Sequence, residues 1–128
     1  MAGLQASGGA VRQQEADTRA LAAQFSAARA FTDSLGVPLL AIPGNHDIPL
    51  GQLWLRLLAP YVRLRRSFGP ALEHEVDVPE LLLLALNTTR RYRHVDGELS
   101  RRQIERVAQR LARAEAGQVR VVVTHQPI

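Results

Sequence analysis

Hydrophobic and polar positions along this chain switch between a helical and an extended period, and the switches mark its elements. From Thr18 the stripe Leu21, Phe25, Ala28, Thr32 and Leu35 recurs at i, i+4, i+7, i+11 and i+14, which predicts one face of an Ala-rich helix. Asp17 stands where an N-cap would, Gly36 where a left-handed residue closes a helix, and Pro38 prevents continuation. The next run, Val37 to Ile42, is apolar at every position rather than alternating, which predicts an interior parallel strand covered on both faces. It leads without a spacer into Pro43-Gly44-Asn45-His46-Asp47.

Beyond this polar turn, Leu53, Trp54, Leu57 and Leu58 gather at helical spacing within residues 52–58, and a second short helix is expected from Tyr61 to Phe68 after Pro60. A Trp inside such a stripe reads as core. Glu73 to Val78 alternates and reads as a half-exposed strand, whereas Leu81 to Leu86 is continuous and reads as a central one. That central run ends in Asn87-Thr88-Thr89, followed by an Arg-rich loop to Gly97. Ser100 and Gln103 have capping-box spacing, and Ile104, Val107, Ala108 and Leu111 carry a helix on towards Ala116, with its stop at Gly117. Val119 to Val123 is the last predicted strand, and it ends in Thr124-His125.

Alternating strands and helices predict an α/β fold with helices packed on mostly buried strands. Residues 1–17 mix Gly, Ala, Gln and Ser without a period and read as a flexible lead-in, leaving residues 18–128 as one domain. The 128 residues and 46% hydrophobic content suffice for a single core. No apolar run approaches the roughly 18 to 20 residues of a bilayer crossing, and the first residues lack the basic and apolar regions of an export signal. A cytoplasmic location without membrane partners is therefore expected.

Composition narrows the chemistry. The chain has no cysteine, so thiol catalysis and thiolate metal sites are excluded, and any metal must use N and O donors. Its 16 basic residues, set against 12 acidic ones, are all arginine. Without lysine there is no Schiff-base or P-loop mechanism, and guanidinium groups are the only permanent cations for a phosphate. The clusters Arg63-Leu64-Arg65-Arg66 and Arg90-Arg91-Tyr92-Arg93 read first as solvated faces, because a net charge of +4 is modest for a nucleic-acid binder. Arg90, Arg91 and Arg93 are placed to steer an anionic substrate, while His74 and His94 read as surface residues.

Two stretches place polar side chains just past a predicted strand: Asn45-His46-Asp47 and Thr124-His125. Taken singly, Asn45 reads as a turn residue and His46 as a loop histidine. If the two strands are neighbours, their carboxyl ends open on one sheet edge and Asn45 and His125 converge there.

Gly-Asn-His-Asp after a buried strand, Gly97-Glu98-Leu99-Ser100-Arg101-Arg102-Gln103 at a helix entry, and a later strand ending in Thr124-His125 occur in one order. In this the chain resembles the calcineurin-like metallophosphoesterases, near their bacterial cyclic-nucleotide phosphodiesterase branch. The resemblance implies a layered α-β-β-α fold, here incomplete, with two divalent ions (Mn, Fe or Zn) and a phosphoric mono- or diester substrate. By the same resemblance Asn45 and His125 are metal ligands, His46 helps the leaving-group oxygen depart, and Asp47 orients the His46 imidazole. Two such cations would lower the pKa of bound water and neutralise charge on the phosphate oxygens.

The family also uses an Asp-x-His after its first strand, a following Gly-Asp, and a late Gly-His-x-His, none of which occurs in this sequence. Glu15 and Asp17 lie near the place of the bridging aspartate but lack the preceding buried strand, so neither is assigned as a ligand. The expectation is thus the middle part of a metal-dependent phosphoric ester hydrolase, poorly active alone and prone to self-association through unpaired sheet edges. Two alternatives stand beside it: a non-catalytic binding or regulatory remnant of the same fold, and an Arg-rich nucleic-acid-binding domain.

Overall fold

The structure is a computed structural model, and it describes residues 22–48, 53–93 and 96–126. The expected Asp17 cap, the lead-in and His94 lie outside these. Helix α1 covers residues 22–34, and its stop is as anticipated, with Gly36 in the left-handed region at φ 62°. A single 3-10 turn follows at Asn45–Asp47, then α2 at Leu53–Leu58, α3 at Val62–Phe68, β1 at His74–Val78, β2 at Leu81–Ala85, α4 at Arg101–Ala112 and β3 at Val119–Val123.

The three strands form one sheet in the order β1-β2-β3, with β1 antiparallel to β2 and β3 parallel to it. The described residues thus form a small mixed α/β domain. Register decides what each face carries. Leu82 pairs with Asp77 and Arg120, and Leu84 with Glu75 and Val122, so these six share the face towards α4. Leu82, Leu84 and Leu86 form the core there, with Leu99, Val107, Leu111 and Ala114 packed against it. The opposite face carries Val76, Val78, Leu81, Leu83, Val119, Val121 and Val123.

Only β2 is largely buried, which corrects the expectation of mostly buried strands: β1 and β3 are outer strands, half-buried at His74, Val76, Val121 and Val123 and exposed at their other positions. A second correction concerns Val37 to Ile42. It is extended chain outside the sheet, with Val37, Leu39 and Leu40 exposed. Its apolar sequence would be satisfied in a sheet interior, yet among the described residues no strand pairs with it, and Pro38 offers no amide to a ladder. Trp54, expected in the core, is 76% exposed.

Helix α4 starts as its sequence demands. The Ser100 hydroxyl accepts the Gln103 N–H at 3.3 Å while Gln103 Oε1 accepts the Ser100 N–H at 2.9 Å, a complete capping box. Its half-buried inner face is Gln103, Val107, Arg110 and Leu111, so Val107 and Leu111 lie where the stripe puts them while Ile104 and Ala108 are exposed. The helix ends at Ala112, short of Ala116. Arg113 and Ala114 N–H groups bond back to Arg110 and Leu111 carbonyls, tightening the last turn so that Ala114 reaches the core.

Candidate active site

His125 is carried by the best-supported part of the fold. β3 runs beside β2, and past its end the ladder continues for one bond, from Leu86 N–H to Val123 O at 2.9 Å. Thr88, fully buried, then accepts the Gln126 N–H on its hydroxyl at 3.4 Å. The turn holding His125 is thereby tied to the loop beyond β2. That loop is itself closed: Asn87 Oδ1 accepts both the N–H and the hydroxyl of Thr89, at 3.0 and 2.6 Å. The three polar residues after β2 are therefore buried supports, not an open site.

Asn45 arrives from the opposite direction. Asp47 Oδ2 accepts the Gly44 N–H at 2.7 Å, and the Asp47 N–H donates to the Gly44 carbonyl at 3.1 Å, which closes the 3-10 turn. Pro43 and Ile48 are buried on either side and anchor it. Upstream, His74 at the start of β1 places Nε2 2.8 Å from the Ala41 carbonyl. This half-buried ring corrects the reading of His74 as a surface residue: it ties the segment before the turn to the sheet. Only its place at the first position of an alternating strand hinted that it faces inward.

These two supports bring Asn45 Oδ1 and His125 Nε2 to 3.1 Å, across 80 residues of sequence. The convergence expected from adjacent strands is met, although one of the two segments is not a strand. His46 lies in the same turn, exposed to solvent. The hydrogen bond that Asp47 makes is to Gly44.

The contact is a hydrogen bond between the ring nitrogen and the amide oxygen, and its length is also the spacing of two ligands of one ion. Two donors held side by side, each about 2.1 Å from a metal, stand about 3 Å apart, and an amide oxygen with an imidazole nitrogen is a borderline set. A closed shell needs about four to six donors, and among the described residues no group of three or more His, Asp or Glu side chains is placed to supply them. The residues present thus fit one corner of a metal centre and not a complete dinuclear one.

Electrostatics around α4 are structural rather than chemical. Burial pushes the Glu73 carboxyl upward, but bonds from Arg106, Gln103 and the Asn87 N–H outweigh this and hold it below the ordinary range. Gln118 and then Arg110 hold Asp77 down in the same way. The Arg90 cluster is also engaged: Arg90 donates to Asn87 O, Thr89 O and Gln103 Oε1, Arg91 to Leu57 O, and Arg93 pairs with Glu98 at 3.0 Å. Compared with protein-family models, curated proteins and solved structures, the chain matches none.

Proposed function

We propose that this chain carries part of the active site of a metal-dependent phosphoric ester hydrolase of the calcineurin-like metallophosphoesterase kind. The observation that carries the reading is the 3.1 Å approach of Asn45 Oδ1 and His125 Nε2, two side chains that the sequence motifs pair as ligands. In this reading they hold one of two divalent ions (Mn, Fe or Zn), and the remaining donors come from beyond the described residues. When bound, the ions supply Lewis acidity and a water of lowered pKa. His46, exposed in the same turn, faces the substrate and gives a proton to the departing oxygen of a phosphoric mono- or diester, cyclic nucleotides included.

The apolar sheet face opposite α4 supports the layered α-β-β-α arrangement, since a sheet packed between two layers is apolar on both sides. Of the two clusters behind the nucleic-acid reading, Arg90, Arg91 and Arg93 are engaged within the fold, whereas Arg65 and Arg66 are exposed. Among the described residues no helix is long and apolar enough to cross a membrane.

Calorimetric titration with Mn²⁺ or Zn²⁺ tests the proposal. Binding should weaken by about tenfold or more in Asn45→Ala and in His125→Ala, and remain in His46→Ala. Hydrolysis of bis(p-nitrophenyl) phosphate should be slow, metal-dependent and abolished by His46→Ala. Metal affinity indifferent to both ligand substitutions would overturn the reading. Metal binding without any turnover, even with high metal and a range of esters, would favour the non-catalytic remnant.

A further inference from the structure

Gly44 stands against the candidate ligand across the site. A Cβ built on it would lie 3.0 Å from Cε1 and 3.1 Å from Nε2 of His125, inside ordinary carbon contact distance. Its backbone does not require glycine, because φ −96° and ψ 166° are open to any residue. Gly36 and Gly69 are the reverse case: φ is 62° and 97°, and no atom stands within 4 Å of the position a Cβ would take. Two glycines are thus required by backbone conformation, and Gly44 by the space its missing side chain leaves.

That space is filled by one edge of the imidazole whose Nε2 meets Asn45 Oδ1. A methyl group at Gly44 would occupy this space, and the exposed His125 ring would have to give way by a few tenths of an ångström, which changes its approach to Asn45. We propose that Gly44 is a positioning residue that sets the separation of the Asn45 and His125 donor atoms. The inference rests on the reading of those two residues as metal ligands for its functional meaning, while its geometric content stands without a metal.

Gly44→Ala in the full chain tests it, with Gly117→Ala as the control, since a Cβ at Gly117 meets nothing within 4 Å and the residue has no positive φ. Long-range ¹H–¹⁵N spectra of the imidazole rings report the tautomer and hydrogen bonding of His125 in metal-free protein. Gly44→Ala should shift the His125 nitrogen signals as Asn45→Ala does, while Gly117→Ala leaves them in place and amide signals remote from the site persist. Zn²⁺ affinity should fall about tenfold in Gly44→Ala, a loss of the size expected when a ligand is misoriented. It should fall no further when Gly44→Ala is added to His125→Ala. Unchanged His125 signals in Gly44→Ala would overturn the proposal, and so would a loss of affinity that persists in full in the His125→Ala background. If the unsubstituted protein binds no Zn²⁺, the functional reading fails and the imidazole spectra alone decide the role of Gly44.

Discussion

The two halves of the candidate site are held by unlike parts of the molecule. His125 follows a sheet whose central strand is buried, whose covering helix has a complete capping box, and whose loops close on hydrogen-bonded side chains. Asn45 follows an arm of extended chain with exposed apolar residues, fixed by the bond from His74 to Ala41, by buried Pro43 and Ile48, and by one cation–π contact of Arg29 with Phe68 further back. A site whose parts differ so in support is set by its weaker side. The geometry of His125 follows from the core, whereas that of Asn45 follows from a few contacts at the rim.

The contrast should be largest in the core. Leu82, 0% exposed, should cost about 2–5 kcal/mol as Leu82→Ala, whereas Leu39→Ala, at a position 45% exposed, should stay within about 0.5 kcal/mol. Urea denaturation measures both. Equal costs would mean that residues 37–42 form an interior strand after all, and the comparison would collapse.

Next in size is the polar junction between α4 and the sheet. Gln103 Nε2 donates to Glu73 Oε1 at 2.5 Å and to Asn87 O at 3.0 Å, so Gln103→Ala should destabilise by about 1–3 kcal/mol and leave Glu73 partly unpaired. Glu73 and Asp77 both have depressed carboxyl pKa values in the fold. Their contribution is complete above the unfolded carboxylate range near pH 4 and is lost as pH falls through the folded values. Melting temperature should therefore drop on acidification below about pH 4, and more shallowly in Glu73→Gln, whose neutral-pH stability is already lower. A parallel acid limb in that variant would show that the network does not couple to protonation.

A smaller global effect with a local signature is expected for His74→Ala. Removing the bond to Ala41 should cost about 1 kcal/mol or less, yet amide exchange should accelerate across residues 41–47 and not in β2. Uniform acceleration, or none, would remove His74 as the tie between the two regions. Smallest in energy, the free edges of β1 and β3 among the described residues, with Val119 63% exposed, should lead to weak self-association with a second copy of the chain. Sedimentation should show a concentration-dependent dimer that Val119→Lys reduces. A monomer at every concentration would show that the edges are protected.

Much of the local structure was legible from residue order. Gly36 ends α1 and Ser100 with Gln103 opens α4, because capping depends on backbone groups within a few residues of one another. Asn45 and His125 were legible as motif residues that would converge, and they lie 3.1 Å apart. Burial was the part that periodicity misjudged. Val37 to Ile42 and Trp54 are apolar enough for a core, but whether an apolar segment is buried depends on what lies against it, and no pattern within the segment records that.

The sequence by itself determined where α1 stops and α4 starts, the absence of thiolate and lysine chemistry, and which side chains are able to ligate or move a proton. These follow from residue type and short-range spacing. Only the tertiary structure decided that Asn87, Thr88 and Thr89 turn inward, that His74 faces the arm, and that the space beside Gly44 is taken by the His125 ring. Apart from the short Asn87–Thr89 bonds, those outcomes rest on contacts between residues more than ten apart in the chain, set by which surfaces exclude water together rather than by local preference.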